Sequence, residues 1–234
     1  MHTLRTSTPR PPAPARIVVL ANQKGGPGKT TLAMCVAGEL ARRGHRVLVA
    51  DADPQGTAAR WAASAPASKP FPARVVATSG AADRLRDELR SQLPDYDFIV
   101  VDCPPSAESP VSRSALLVAD LAIVPVVPSP PDLWAGLAIR QVIAGVVQVR
   151  PGLKARIVVN QRKARTRLAS KTRELLPEYG IPVLNTQVGD REAFRHAAAG
   201  GLTVADVPRA QLAQAEVFGL THEILNLLEE DPPP

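Results

Sequence analysis

One short stretch of the chain combines glycines, a proline and two lysines in a spacing suited to binding an anion. It runs Lys24-Gly25-Gly26-Pro27-Gly28-Lys29-Thr30-Thr31. The apolar run before it, at 17–21, predicts a buried strand, and the segment at 32–37 predicts a helix. A glycine-rich turn between a strand and a helix presents backbone N–H groups and a helix N-terminus, which together attract phosphate. Lys29 would reach the β- and γ-phosphates of a nucleotide, and the Thr30 hydroxyl would contact Mg²⁺.

The stretch departs from the ordinary phosphate-binding loop at its beginning. The pattern G-x-x-x-x-G-K-[ST] requires glycine at position 23, where this chain has Gln23, and a second lysine, Lys24, follows directly. The match to the variant K-G-G-x-G-K-[ST] is complete. One lysine is enough to serve a phosphate. Lys24 therefore either has a function of its own or is a solvated lysine of the loop.

Acidic residues follow two further apolar runs. Asp51 and Asp53 come after the run at 46–50, and Asp102 follows the run at 97–101. In an open parallel sheet, ligands bind beyond the carboxyl ends of the strands, where all three loops would emerge. Mg²⁺ takes oxygen ligands and often keeps several waters. The sequence thus predicts a site for Mg²⁺ and phosphate. The alternative is that these aspartates start loops or cap helices, which applies most to Asp51.

Alternating apolar runs and helical patterns predict an α/β fold with a single doubly wound, mostly parallel sheet. The predicted strands are 16–21, 46–50, 73–77, 97–101, 121–126, 155–159 and 181–185. The predicted helices are 30–43, 55–64, 80–92, 106–119, 132–149, 164–179, 190–199 and 209–229. No boundary divides this core. We expect one domain at 16–229, a disordered tail rich in Pro, Arg and Thr at 1–15, and a frayed end at 230–234.

With these motifs the chain resembles the ParA/MinD family of deviant Walker ATPases. The resemblance covers roughly 16–228 and is greatest to short ParA-like proteins without an N-terminal helix-turn-helix domain. It implies that ATP and Mg²⁺ are the cofactors and that the loop from Lys24 to Thr31 binds the nucleotide. It also implies that Lys24 reaches across a nucleotide-sandwich dimer to the ATP of the other protomer.

The resemblance further implies roles for the remaining site residues. Thr30, Asp51 and Asp102 would hold the metal, with Asp102 as the Walker B carboxylate and Asp51 supporting the metal shell. Asp53 would position the attacking water and complete a catalytic set with Lys24 and Lys29. Asn160, after the run at 155–159, and Pro208, before the last helix, would contact the adenine.

The activity implied by the resemblance is a slow ATP hydrolysis that partners stimulate, since phosphoryl transfer depends on charges supplied at the site. The expected partners are a second copy of the chain when ATP is bound, nonspecific double-stranded DNA, and a ParB-like adaptor. Such a protein would act in the cytoplasm, on the nucleoid. It would segregate a plasmid, a chromosome or a protein cargo.

The charge of the chain favours an anionic partner. The net charge is +6 and the pI is about 9.8. No acid occurs between 162 and 173, and the basic side chains there recur every four residues, which places them on one helix face. The alternative is a solvated or salt-bridged helix. The predicted DNA-binding residues are Arg162, Lys163, Arg167, Lys171, Arg191 and Arg195.

Two rival functions stay open. A MinD-like membrane-surface ATPase would end in a basic amphipathic helix, but no lysine or arginine follows Arg209 and the last helix is acidic. We therefore expect that helix to pack against the domain, with no stable membrane contact. A biosynthetic ATP-dependent enzyme with a related loop would need residues for a small organic substrate, and no such set stands out.

Cysteine usage and hydropathy indicate the compartment. Cys35 and Cys103 are too few and too separated for a disulfide framework or a zinc site, which favours a reducing cytoplasm. No apolar run approaches the ~20 residues of a spanning helix, and the N-terminus does not have the pattern of a secretory signal.

Overall fold

A single parallel sheet organises the described part of the chain. The computed structural model describes residues 15–106, 109–128, 130–163 and 180–230, and at 130–137 the backbone only. The strands in these ranges are β1 (Arg16–Leu20), β2 (Val47–Asp51), β3 (Arg74–Ala77), β4 (Phe98–Asp102), β5 (Leu121–Val126) and β6 (Lys154–Val159). They pair in the order β3-β2-β4-β1-β5-β6, and every pairing is parallel. The predicted fold class is confirmed.

Helices cover both faces of this sheet. They are α1 (Lys29–Arg42), α2 (Thr57–Ala63), α3 (Ala82–Gln92), α4 (Pro110–Leu116), α5 (Pro130–Val149), α6 (Glu192–Gly200) and α7 (Gln211–Glu229). Alternate residues of the central strands point into two separate apolar clusters, so the strands are apolar throughout. One cluster includes side chains of α1, α2, α6 and α7. The other includes side chains of α3, α4 and α5.

The strand register brings three loop-forming ends together. β4 lies between β1 and β2, and Asp102 at its end is in register with Leu20 on one side and Asp51 on the other. The loop after β1, the loop after β2 and the loop after β4 therefore leave the sheet side by side. This is the edge at which a doubly wound sheet binds its ligand.

The predicted strand at 181–185 is wrong, because only Val183 forms a bridge, to Ile157 on β6. Two features stop the ladder. Pro182 has no N–H to donate toward β6, although its carbonyl accepts from the Ile157 N–H at 2.8 Å. On the other side, the Asn185 and Thr186 N–H groups donate to the Glu223 carboxylate instead.

The predicted helix boundaries shift for local reasons. The helix predicted at 106–119 begins at Pro110, where the Ser109 hydroxyl caps it by accepting from the Val111 N–H at 3.3 Å. The helix predicted at 55–64 begins at Thr57, after Gly56 in the left-handed conformation. The predicted helix at 164–179 lies outside the described residues.

Candidate functional site

The loop between β1 and α1 has the backbone of an anion-binding turn. Gly26 and Gly28 have φ angles of 93° and 87°, a conformation that glycine adopts without strain. Gly28 is the N-cap residue of α1 and has no side chain to accept from the first N–H groups of the helix. Those donors and the helix dipole are therefore directed at whatever the loop encloses.

Lys29 is a buried cation at the start of α1. Its side chain is only 6% exposed, and its Nζ donates to the Lys24 carbonyl at 3.1 Å. Burial lowers the pKa of Lys29, and the nearby Asp102 acts in the opposite direction. Burial takes the Lys29 ammonium out of water. A phosphate bound beside it would supply a compensating negative charge, so a lysine held this way is suited to binding phosphate.

Asp102 is a buried anion at the end of β4. It is fully buried, and burial raises the pKa of its carboxyl to about 7 despite the Thr30 hydroxyl beside it, which lowers the pKa. Within the described ranges, neither carboxylate oxygen has a hydrogen bond of normal geometry. An ionised carboxylate buried without donors is costly unless a cation binds it.

These residues fit a shared Mg²⁺ site. Mg²⁺ is commonly bound by one or two carboxylates together with waters and substrate phosphates. The orphaned oxygens of Asp102 and the hydroxyl of Thr30 are oxygen donors of that kind. Among the described residues, no group of three or more His, Cys, Asp or Glu side chains could hold a metal alone. Phosphate and water oxygens would therefore complete the coordination of the metal.

Asp51 and Asp53 occupy different environments. Both carboxylate oxygens of Asp51 accept backbone N–H groups, from Ala59 at 2.9 Å and from Asp53 at 3.3 Å. Burial raises the pKa of Asp51, and the hydrogen bond from Ala59 lowers it. Asp51 thus caps the first turn of α2, because Gly56 at the N-cap has no side chain. Asp53 is only partly buried and accepts from the Gln55 N–H at 2.9 Å.

A pair of amides at the end of β6 holds the loop in place. Asn160 is 3% exposed and its Nδ2 donates to the Pro27 carbonyl at 2.7 Å. The side chain of Gln161, which sequence reasoning missed, donates to the Gly26 carbonyl at 2.7 Å. A Cβ on Gly28 would lie 2.3 Å from the Asn160 Nδ2. The contact predicted between Asn160 and adenine stays a prediction.

A cavity of about 390 Å³ opens beside the loop. Thr31, Asn160 and Gln161 line one side, and the segment 189–191 lines the other together with Phe194 and Arg195. Its volume is in the range of small-molecule sites. Sequence reasoning assigned Arg191 to DNA and did not place the segment 189–191 beside the phosphate-binding loop.

The two arginines of that cavity form ion pairs within the chain. Arg191 donates from Nε to the Glu216 carboxylate at 2.8 Å and binds its second oxygen through Nη2. Arg195 pairs with Asp190 at 3.0 Å and keeps 67% of its side chain exposed. The salt-bridged alternative therefore describes Arg191, whereas Arg195 stays accessible. DNA contact by either stays a prediction.

The remaining predicted residues are not all brought to this site. The Arg162 Nε is buried with no hydrogen-bond partner within the described ranges, and Lys163 is exposed. Arg167 and Lys171 lie outside the described residues.

The adenine contact predicted for Pro208 stays a prediction. Ala205 and Gln211, on either side of it in the chain, line a groove with Arg42 and Arg43 at the end of α1. That end is about 20 Å from Lys29, at 1.5 Å of helix rise per residue. The residues on either side of Pro208 therefore lie near the C-terminal end of α1.

Comparison with known proteins decides the family. The family model described as the CobQ/CobB/MinD/ParA nucleotide binding domain matches residues 18–204. The chain belongs to this family. It is 35% identical over 210 residues to the maintenance of carboxysome distribution protein A of Halothiobacillus neapolitanus, covering 89% of this chain and 95% of the relative. It is 32% identical to the chromosome-partitioning ATPase Soj of Thermus thermophilus, covering 82% and 88%.

Solved structures confirm the fold of this ParA/MinD-type ATPase. The ATP complex of a Cyanothece McdA variant matches with a TM-score of 0.73 at 15% identity, covering 91% of this chain and 96% of that one. The MinD protein of Pyrococcus horikoshii with Mg-ADP matches with a TM-score of 0.69 at 20% identity, covering 92% and 98%. Within the described ranges, none of the helices combines the length and hydropathy that crossing a bilayer requires.

The buried carboxylate predicts a pH-dependent stability. The folded pKa of Asp102, about 7, is above its value in an unfolded chain, so the folded state binds a proton that the unfolded state releases between about pH 4 and 7. The free energy of unfolding therefore falls as the pH rises through this window. Asp102→Asn removes this loss and should stabilise the metal-free protein at pH 8 by about 1–4 kcal/mol.

Urea unfolding of both proteins without Mg²⁺, from pH 4.5 to 8.5, measures the difference. The advantage of Asp102→Asn should grow up to about pH 7 and then level off. A difference that is constant over this range, or that favours the parent at pH 8, would contradict a buried and unpaired carboxylate.

The amide pair predicts a second effect. Asn160→Ala removes the buried donor to the Pro27 carbonyl and should weaken nucleotide binding about tenfold, since 1.4 kcal/mol is a typical cost of such a loss. Gln161→Ala, whose hydrogen bond is exposed, should have a smaller effect. Calorimetric titration with ADP and with inorganic tripolyphosphate separates the two roles of Asn160. Equal losses for both ligands indicate a hold on the loop, and a loss for ADP alone would assign Asn160 to the base.

Proposed function

We propose that the chain is an ATP- and Mg²⁺-dependent positioning ATPase of the ParA type, active as a sandwich dimer. The observation that carries the proposal is the joint placement, at one edge of the sheet, of the K-G-G-x-G-K-T loop, the buried Lys29 and the buried Asp102, whose carboxylate has no hydrogen bond of normal geometry within the described residues. The family match and the relatives named for distribution and partitioning support it.

Each residue of the site would have a separate role in hydrolysis. The loop N–H groups and Lys29 would bind the β- and γ-phosphates, and Thr30 with Asp102 would hold Mg²⁺, which would offset the charge of the phosphates. Asp53, less buried than the other two aspartates, orients the water that attacks the γ-phosphorus as the bond to the bridging oxygen of ADP breaks. Asp51 acts indirectly, because it fixes the backbone of Asp53 and the start of α2.

The second lysine couples nucleotide to assembly in this proposal. The backbone of Lys24 is tied to Lys29 through the 3.1 Å hydrogen bond, and Lys24 is an exposed residue. We propose that its ammonium contacts the nucleotide of the other protomer. A cation supplied in trans can contribute roughly 10³–10⁵ in rate to phosphoryl transfer. Slow hydrolysis in the monomer and faster hydrolysis in an assembly follow from this arrangement.

DNA binding and release complete the proposal. Arg162, Lys163 and Arg195, with Arg167 and Lys171, are the basic residues we propose to follow phosphates without reading bases. We assign Arg191 instead to the cavity wall, since Glu216 holds it by two hydrogen bonds. A ParB-like adaptor would stimulate hydrolysis and release the dimer from the nucleoid in the cytoplasm. The cargo would be of a kind named in its relatives, a protein compartment or a DNA molecule.

The membrane alternative has less support. The apolar side chains of α7, including Leu220 and Ile224, are fully buried in the core they share with α1. Glu216 and Glu223 of the same helix accept backbone N–H groups of 185–189. The side of α7 that carries Leu220 and Ile224 is therefore committed to the core, and we propose that the protein makes no stable membrane contact. The described residues likewise offer no observation that favours a biosynthetic enzyme.

Lys24→Ala tests the central step of this proposal. The variant should bind Mg-ATP within about threefold of the parent, because Lys29 and the loop backbone are retained, but should stay monomeric with ATP. Light scattering after size-exclusion chromatography measures the mass, and a fluorescent ATP analogue measures binding. Lys69→Ala, an exposed lysine paired with Asp206, is the matched control and should dimerise like the parent. A Lys24→Ala protein that dimerises normally with ATP would overturn the assignment.

A further inference from the structure

An apolar stripe runs along the outer side of α7. Leu212 and Phe218 are 66% and 57% exposed, and the exposed Ala215 lies between them. Positions three residues apart on a helix share one side, so these three form a continuous strip. Only 3% of the residues in the chain are aromatic, so a phenylalanine that faces solvent is unusual here. Neighbouring exposed apolar side chains of this kind mark interaction surfaces.

A groove of about 450 Å³ lies between this stripe and the C-terminal end of α1. Arg42 and Arg43 line it from α1, and Gln211, Gln214 and Phe218 line it from α7. We refer to it as the α1–α7 groove. It is about 20 Å from Lys29, the length of α1, so it is separate from the nucleotide site. A dimer that joins two P-loop edges would leave it open.

The aromatic ring at the groove is held in place before any partner arrives. The Arg43 guanidinium lies 4.4 Å from the centre of the Phe218 ring, and its Nη2 donates to the Phe218 carbonyl at 3.2 Å. The Arg43 Nε in turn donates to Glu39 at 2.8 Å. The His222 ring lies nearly parallel to the Phe218 ring, at 6.5 Å between centroids. An ordered aromatic costs little entropy on binding, which is the property of a docking anchor.

The charge around the groove is positive. Glu39 is matched by Arg43, and the nearby acids Asp206 and Glu216 are engaged by Lys69 and Arg191. Arg42 and Arg209 are exposed, and neither forms an ion pair within the described part of the chain. Arg209 lies just before α7, two residues from Gln211 in the groove wall. The partner that complements this surface is therefore apolar and acidic.

We propose that the α1–α7 groove docks an acidic amphipathic segment of a partner protein. One apolar side chain of the segment packs on Phe218 in the groove, a second packs on Leu212 at the far end of the stripe, and its carboxylates meet Arg42 and Arg209. This is the helix-in-groove mode of peptide recognition, with charge complementarity selecting the partner. The surface goes beyond the proposed ATPase function, and the binding needs no nucleotide.

Selection from a displayed library of random 16-residue peptides tests the proposal on the full chain without nucleotide. Enriched sequences should carry Leu or Phe at helical spacing beside Asp or Glu. Fluorescence anisotropy of the synthesised peptides should then show at least tenfold weaker binding to Phe218→Ser, Leu212→Ser and Arg42→Glu. Two matched controls should change binding by less than twofold. They are Val149→Ser, which replaces an equally exposed apolar residue, and Arg90→Glu, which replaces an exposed arginine in the last turn of α3.

Leu212→Ser guards against an indirect effect, because Leu212 takes no part in the Arg43 and His222 contacts of Phe218. Peptides that bind the Phe218, Leu212 and Arg42 variants as well as the parent would overturn the proposal, as would enrichment of basic peptides or of none. Three other results would assign the surface to a different partner and overturn the proposal. In each, the parent shows an interaction that both Phe218→Ser and Arg42→Glu lose. The interaction is self-association without nucleotide, binding to anionic phospholipid vesicles, or binding to a DNA duplex.

Discussion

The rest of the site depends on two buried charges of opposite sign, on Lys29 and Asp102. Burial opposes the ionised form of both groups, and their mutual attraction offsets only part of that cost. Asp102 has no hydrogen-bond donor of normal geometry in the described part of the chain. Without a ligand, the charges of this pair are poorly compensated. A metal beside Asp102 and a phosphate beside Lys29 would compensate them. A water-poor site of this kind strengthens each electrostatic contact with the ligand and needs little reorganisation when it binds.

The parallel sheet keeps these charges in place. Because β4 is central, with β1 and β2 as neighbours, Asp102 is surrounded by buried strand ends and by the loops that continue from them. The loop after β1 is fixed from the other side by Asn160 and Gln161, at the end of β6. Strand ends across the sheet therefore frame the candidate site and fix the loop from two sides.

The acidic last helix has a structural task in this basic chain. Glu216 and Glu223 are one heptad apart, and each accepts N–H groups from the segment that follows β6. Glu216 also binds Arg191 at the cavity beside the loop. These contacts explain why α7 carries acids on a side that faces protein. Phe218, which points away from that side of the helix, stays exposed to solvent.

The parts of the structure that sequence reasoning reached are those with short-range signals. Lys29 and Thr30 lie in a contiguous motif, and Asp51 and Asp102 each end an apolar run, so the rule for parallel sheets was enough to bring them together. Contacts between distant residues were out of reach. The ion pair between Arg191 and Glu216 is one of them, because the two residues are 25 positions apart and nothing in either segment marks the pair.

The strand predicted at 181–185 is wrong because hydrophobic periodicity does not indicate which backbone N–H groups are able to pair. Its apolar residues have the right pattern, and Val183 does meet β6. A proline without an N–H and a carboxylate that competes for two others end the pairing on both sides.

The central claim is that ATP switches this chain into a dimer that binds DNA without reading its sequence. Binding to a random-sequence duplex, measured with ATP, with ADP and without nucleotide across a salt series, tests it most directly. The account predicts strong binding with ATP and Mg²⁺ only, weakening with salt at a log–log slope of about 0.9 per phosphate contacted. Binding that is absent in all three states, or equal in all three, would contradict it.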